Sequence, residues 1–150
     1  MSKRMALPLG VMIPLLAAGL IGNASDRHGV TDAQTVEFCD LQKNTEKFNG
    51  KMVRVRALWK TDFEESTLSA PSCAYPLPSI WVDFEKSWES RTSWRVRHAT
   101  DRVRWGMHDV VSVGMIRTGG RFGHQDMYSD VIEVYRVEAV RQLGSFRPFP

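Results

Sequence analysis

The chain has 150 residues, 43% of them hydrophobic and 25% charged, proportions that suit one globular domain and exclude a globally disordered chain. Its formal net charge is +3, from 20 Lys+Arg against 17 Asp+Glu. Without residues 1–24, which hold Lys3 and Arg4, 18 basic side chains face 17 acidic ones; this excludes a global field that would draw in nucleic acid or anionic membrane, and leaves only local patches to do so.

The N-terminus sets the compartment. "MSKR" places two cations ahead of "MALPLGVMIPLLAAGLIGNAS", which is uncharged until Asp26. A basic start, an apolar run and small residues at Gly22-Asn23-Ala24 predict a signal peptide over residues 1–24, cleaved after Ala24, and hence a secreted or periplasmic protein. The alternative is an uncleaved membrane anchor. Pro8, Pro14, Gly10 and Gly19 make that segment a poor spanning helix, which needs roughly 20 apolar residues. Residues 25–34 read as a leader, 35–143 as the folded domain and 144–150 as a flexible tail.

Asp32 or Thr35 to about Lys47 reads as a short helix, with Val36, Phe38, Cys39 and Leu41 on its buried side and Asn49-Gly50 stopping it. Cys39 and Cys73 are the chain's only cysteines, and in an exported protein an even, minimal count predicts one disulfide. A metal pair or two free thiols are the alternatives; neither C-x-x-C spacing nor flanking histidine supports metal.

Lys51–Thr61 is the clearest strand. Val53, Val55, Ala57 and Trp59 fall on one face, and Arg54, Arg56 and Lys60 on the other. Arginines in V-R-V-R invite a nucleic-acid groove, but the same alternation describes the wet face of a half-buried strand, and that reading is preferred. Residues 62–78 form a Ser/Pro-rich loop. "SIWVDFE" is a second strand, with Ile80, Val82 and Phe84 opposite Trp81, Asp83 and Glu85. Residues 86–108 fit a helix over Val96, Ala99 and Val103, and equally a strand over Trp94, Val96 and His98. A third strand, "DVVSVGMIRTGGRFG", puts Val111, Val113 and Met115 on one face. In the fourth, "VIEVYRVEAVRQL", the alternation slips between Val134 and Val137, as a β-bulge or a strand buried on both faces produces.

A helix followed by strands without regular βαβ alternation argues against a parallel sheet. The expected fold is mainly β: a small antiparallel five-stranded barrel with a short N-terminal flanking helix. The order "FCDL", "NTEKFNGKMVRVRALW", "PSCAYPLPSIWVDF", "VVSVGMIRTGGRFGHQDMYSDVIEVYRVEAV" resembles exported bacterial proteins of uncharacterised activity that have an OB-fold-like barrel. The resemblance covers most of Phe38 to Val140. It is most specific at Cys39, Asn49-Gly50-Lys51, Cys73, Ile80-Trp81 and "GRFGH" from Gly120 to His124; such proteins usually carry Gly where this chain has Ala57. It implies a fold and an export route, and no activity.

Four histidines are present. His124 and Asp126, in "HQD", would point together on a strand and hold a metal if His98 or His108 supplied a third ligand; a turn histidine beside Gly123 is the simpler reading. His28 lies in the leader. Glu64 with Glu65, and Asp83 with Glu85, are carboxylate pairs that do acid/base work only when their environments split their pKa values. There is no G-x-S-x-G, no phosphate-cradling glycine loop and no H-E-x-x-H. A nucleophilic Cys39 or Cys73 conflicts with the disulfide.

The sharpest local feature is "RTSWRVRHATDRVRW". Arg91, Arg95, Arg97, Arg102 and Arg104 face one acid, Asp101, with Trp94 and Trp105 interleaved. Bases or sugars stack on such tryptophans while arginines take anions; a solvated basic face with core tryptophans is the plainer alternative. The reading that follows is a non-catalytic binding or structural module whose ligand is an anionic glycan, peptide or protein surface. Its binding residues are Arg91, Trp94, Arg95, Arg97, Arg102 and Arg104, joined by Arg54 and Arg56 if the outward side of their strand adjoins them. No cofactor or metal is expected, nucleic acid is disfavoured, and membrane is a partner only if the N-terminal segment stays uncleaved. The competing classes are a metal-assisted hydrolase using His124 and Asp126, and a single-strand nucleic-acid-binding OB protein.

Overall fold

A computed structural model describes residues 30–73, 79–102 and 105–144. The signal peptide expected over residues 1–24 and all of the tail except Gly144 lie outside the described residues. The strands are β1 (Gln34–Val36), β2 (Met52–Thr61), β3 (Ser66–Ser69), β4 (Ile80–Phe84), β5 (Gly106–Arg117) and β6 (Val131–Gly144); the helices are α1 (Phe38–Lys43), α2 (Thr45–Phe48), α3 (Trp88–Arg91) and α4 (Trp94–Asp101).

The sheet runs β1-β2-β3-β4-β6-β5, and β5 pairs back onto β2, so β2 to β6 close into a five-stranded barrel with β1 outside it. The expected antiparallel barrel is corrected to a mixed one. β4 runs parallel to β6 and β1 parallel to β2, while the remaining pairs are antiparallel. A parallel pair needs a long crossover, and the segment from α3 through β5 supplies it between β4 and β6.

The helix expected from Asp32 or Thr35 to Lys47 is also corrected. Gln34–Val36 is extended and pairs with Val53–Val55, and helix follows only from Phe38, interrupted at Asn44 (φ −135°, ψ 35°). Pairing with a strand overrides a weak local helix signal. Of the undecided residues 86–108, Trp88–Arg91 and Trp94–Asp101 are α3 and α4, Gly106 starts β5, and 103 and 104 lie outside the described residues.

Val53, Val55, Ala57 and Trp59 of β2 are buried as the alternation predicts, together with Ile80, Val82, Ile132, Val134, Val137, Phe38 and Leu41. The slip in β6 is real. Register shifts in the β5–β6 pairing leave Tyr135, Glu138 and Leu143 as extra residues, which lets Val134 and Val137, three apart, both enter the core. Gly114 sits where the chains come closest: a Cβ there would lie 2.6 Å from the Glu133 carbonyl oxygen and 2.6 Å from Ile132 Cγ1.

Toward one end of the core Trp59, Phe84 and Trp88 stack in succession, with centroids 5.6 and 4.8 Å apart. Thr92 Oγ1 there accepts the Val137 N–H at 3.0 Å, satisfying a buried backbone donor beside a bulge. Among the described residues no helix is long and apolar enough to cross a membrane.

Cys39 on α1 and Cys73 beyond β3 sit at disulfide distance, Sγ–Sγ 2.17 Å and Cα–Cα 5.2 Å. The bond closes a loop between residues 34 apart and fastens α1 to the barrel. Reduction, or Cys39→Ser with Cys73→Ser, is expected to lower unfolding stability by about 3–4 kcal/mol in the chain-entropy account. Urea unfolding with and without reductant checks this; coincident midpoints would show that the bond adds nothing.

Candidate functional site

The basic stretch becomes a helical surface. Ser93 (φ −60°, ψ 147°) precedes α4 in extended geometry. Thr100 is buried and Val96 packs against the core cluster. Spacing of 3.6 residues per turn then sends Trp94, Arg95 and His98 outward. Trp94 is 60% exposed. The Arg95 guanidinium carbon stands 5.7 Å from its ring centroid, and His98 meets the ring edge-on at 5.6 Å. Arg95, Arg97 and Arg102 form no ion pair with any described residue. Trp105, just before β5, is 42% exposed. Arg104 lies outside the described residues.

Arg91 does not share this surface. Its Nη1 bonds Glu85 Oε2 at 2.6 Å, and its guanidinium covers the Tyr135 ring at 5.3 Å. Glu85 is held below the usual carboxylate range, first by the Ser87 hydroxyl and then by the Ser87 backbone and Arg91. The carboxylate is thereby a structural anchor rather than an acid catalyst.

Arg54 and Arg56 point outward from β2 as expected, but neighbouring strands supply acids for both. Arg54 Nε donates to Glu138 Oε2 at 2.7 Å, and Arg136 Nη2 donates to Glu138 Oε1 at 2.5 Å. Arg56 grips Asp109 through Nε–Oδ1 at 2.9 Å and Nη2–Oδ2 at 2.6 Å. Arg141 reaches the same Oδ2 at 3.0 Å. These arginines, Arg56 first, hold Asp109 below its ordinary pKa. No ion pair or ring contact joins this wall to Arg95, Arg97 or Arg102 among the described residues. The two surfaces share one support: α3 and α4 pack on β6, the strand that bears Arg136, Glu138 and Arg141.

The metal alternative finds no support in the geometry. "HQD" is a 3-10 turn rather than a strand, with Gln125 (φ 55°) and Asp126 (φ 58°) both in the left-handed region. Among the described residues no three His, Cys, Asp or Glu side chains gather as a metal site. His98 lies on α4, and His108 is fully buried in the barrel. His124 Nε2 instead faces Glu64 Oε1 at 3.9 Å, across a groove of about 300 Å³ lined by Asp62, Phe63, Glu64, Trp81 and their neighbours. The carboxylate pairs serve structure here. Asp62 Oδ1 accepts the N–H groups of Glu64 and Glu65, and Glu65 bonds Lys60 and Thr67. Sequence reasoning missed this groove because its residues come from the β2–β3 turn, β4 and the β5–β6 turn. Its one local signal was Gly123, where a Cβ would fall 2.6 Å from Trp81.

No family model, curated protein or solved structure matches the chain.

His108 gives the site region its clearest pH handle. It is fully buried 6.0 Å from the Trp59 ring, neither ring nitrogen has a hydrogen-bond partner among the described residues, and burial lowers its pKa. In the unfolded chain histidine titrates near pH ~6.5. Below that pH the unfolded state binds the proton that the folded state refuses, so stability falls as pH drops from about 6.5 toward the depressed folded value. The slope from one group is at most about 1.4 kcal/mol per pH unit. His108→Leu is expected to flatten the loss between pH ~7 and ~5, read by urea unfolding at each pH; an unchanged slope would assign the effect elsewhere. Asp109 and Glu85, with lowered pKa values, add their own loss only below about pH 4.

Proposed function

We propose that this chain is an exported, non-catalytic binding module of OB type, whose ligand is an anionic glycan, peptide or protein surface. The observation that carries this reading is the state of the α4 cations. Arg95, Arg97 and Arg102 have no anionic partner among the described residues, while Trp94 stands exposed between Arg95 and His98. Unneutralised cations around a helix with an exposed ring beside Arg95 suit a polymer that offers both charge and a flat face.

The strand order supports the OB assignment. Five barrel strands run β2-β3-β4-β6-β5 and return to β2, β4 and β6 are parallel, and helices lie between β4 and β5. An OB barrel has such a five-stranded Greek-key arrangement and often serves in oligosaccharide or oligonucleotide binding. Export is supported by the basic-then-apolar N-terminus, and a cysteine pair at disulfide distance is consistent with an oxidising compartment.

Arg95→Glu with Arg97→Glu replaces an exposed and a half-exposed cation on a helix anchored by Val96 and Thr100, so the fold is expected to survive. Retention on immobilised polygalacturonate at low salt should fall at least about tenfold, because charged contacts to an anion contribute on the order of 1.5–3 kcal/mol each. Equal retention of the wild type and the double variant would remove the α4 surface from the reading. Retention of single-stranded DNA that collapses steeply with salt would favour nucleic acid instead.

A further inference from the structure

The barrel wall formed by β2, β5 and β6 carries its own groove, of about 310 Å³, lined by Arg56, Asp109, Val111, Ala139, Val140 and Arg141. Its make-up follows from cross-strand register. Arg56 stands opposite Val111 and Val111 opposite Ala139; Asp109 stands opposite Arg141. Outward positions of a barrel are ordinarily polar, yet here aliphatic side chains lie beside the cations and make an apolar floor.

Asp109 arranges the rest. Its side chain is 14% exposed, while those of Arg56 and Arg141 are 68% and 70% exposed. Both guanidiniums bond the same oxygen, at 2.6 and 3.0 Å, so their nitrogens lie close enough to share one further oxyanion. Two cations on one acid leave a net positive charge. Each guanidinium has five donors, of which Arg56 spends two and Arg141 one on Asp109.

We propose that Arg56 and Arg141, aligned by Asp109 over Val111 and Ala139, form a subsite for a carboxylate borne on a sugar ring, a uronate unit of an anionic glycan. The inference rests on the anion-binding reading above and adds the ligand class and a second place of contact. Planar guanidiniums suit a carboxylate, and a flat aliphatic floor suits the C–H face of a pyranose. A peptide adding as a strand needs an exposed sheet edge, and β5, the groove's central strand, offers none, because it is paired with β2 on one side and β6 on the other. The groove lining holds no aromatic ring for a base to stack on.

The test is calorimetric titration of the full folded chain with trigalacturonate, with Arg56→Gln and Arg141→Gln made singly so that Asp109 keeps one arginine in each. Binding by the wild type is expected, weakened about tenfold or more in either variant, with Arg117→Gln, whose ion pair to Glu133 lies outside the groove, unchanged. Thermal melts confirm that each variant is folded. No binding of the trimer by the wild type, equal affinity in Arg141→Gln, or equal binding of triglutamate would each overturn the subsite. Trimer affinity untouched by Arg141→Gln, alongside lost polygalacturonate retention in the α4 double variant, would remove the subsite and leave the α4 reading standing. Trimer binding that depends on Arg56 and Arg141, with polymer retention indifferent to Arg95 and Arg97, would do the reverse.

Discussion

The pairing of β5 back onto β2 is the constraint from which the other features descend. It runs from Met52 opposite Met115 to Thr61 opposite Gly106 and turns an open sheet into a closed one. Closure gives every strand an inside and an outside. Inside, there is room only for side chains that fill space without needing water. Outside, polar groups stay solvated. The V-R-V-R run obeys both demands at once: Val53 and Val55 are buried, and Arg54 and Arg56 meet solvent and the acids of neighbouring strands.

Closure also decides which arginines are neutralised. Adjacent strands lie about 4.7–4.9 Å apart, so an arginine on β2 is in reach of acids on β5 and, across it, on β6. Asp109 and Glu138 occupy those places. In the resulting pairs the arginine ends meet solvent while the acids are mostly covered, so solvent screens the attraction and the main effect is to fix the guanidiniums in direction. A surface helix offers neighbours only three or four positions along its own chain. On α4 the one acid, Asp101, lies four residues beyond Arg97 and forms no ion pair with a described residue. The same residue type is therefore fixed on the wall and uncommitted on the helix.

The barrel was legible where one strand's own alternation decides the outcome. β2, β4 and the slip in β6 could be read directly, because burial on one face imposes a period of two and a bulge breaks it visibly. Partners were not legible. Nothing in "SIWVDFE" states that it runs parallel to "VIEVYRVEAV", since that depends on how the chain between them crosses over. β1 was mistaken for helix because three residues are too few to show a period. β5 was the subtlest case. Val111, Val113 and Met115 do share a face, but it is the outer one; Val110, Ser112, Gly114 and Ile116 alternate with them on the inner side. Val113 is fully buried on the outer face nonetheless, flanked in register by Arg54 and Arg136. Hydrophobicity alone could not rank two faces that both contain valines. Of the candidate binding residues, those of α4 could not be given a face while residues 86–108 read equally as helix and strand, and the ion pairs of Arg54, Arg56 and Arg91 required the fold.

Near-neutral total charge conceals a strongly sorted surface. The turn after β2 gathers Asp62, Glu64 and Glu65 beside Phe63 and Trp81, with Lys60 already bonded to Glu65. The β2–β5–β6 wall sets Arg54, Arg56, Arg136 and Arg141 against Asp109 and Glu138, and α4 with the residue that ends it adds Arg95, Arg97 and Arg102. Charge is thus mainly negative over one region and mainly positive over two others, with screening confining each effect to about 8–10 Å at moderate salt. Over that range local composition, not the molecular sum, sets the encounter. A protein can balance its acids and bases and still present a cationic surface, provided the fold keeps the two kinds apart.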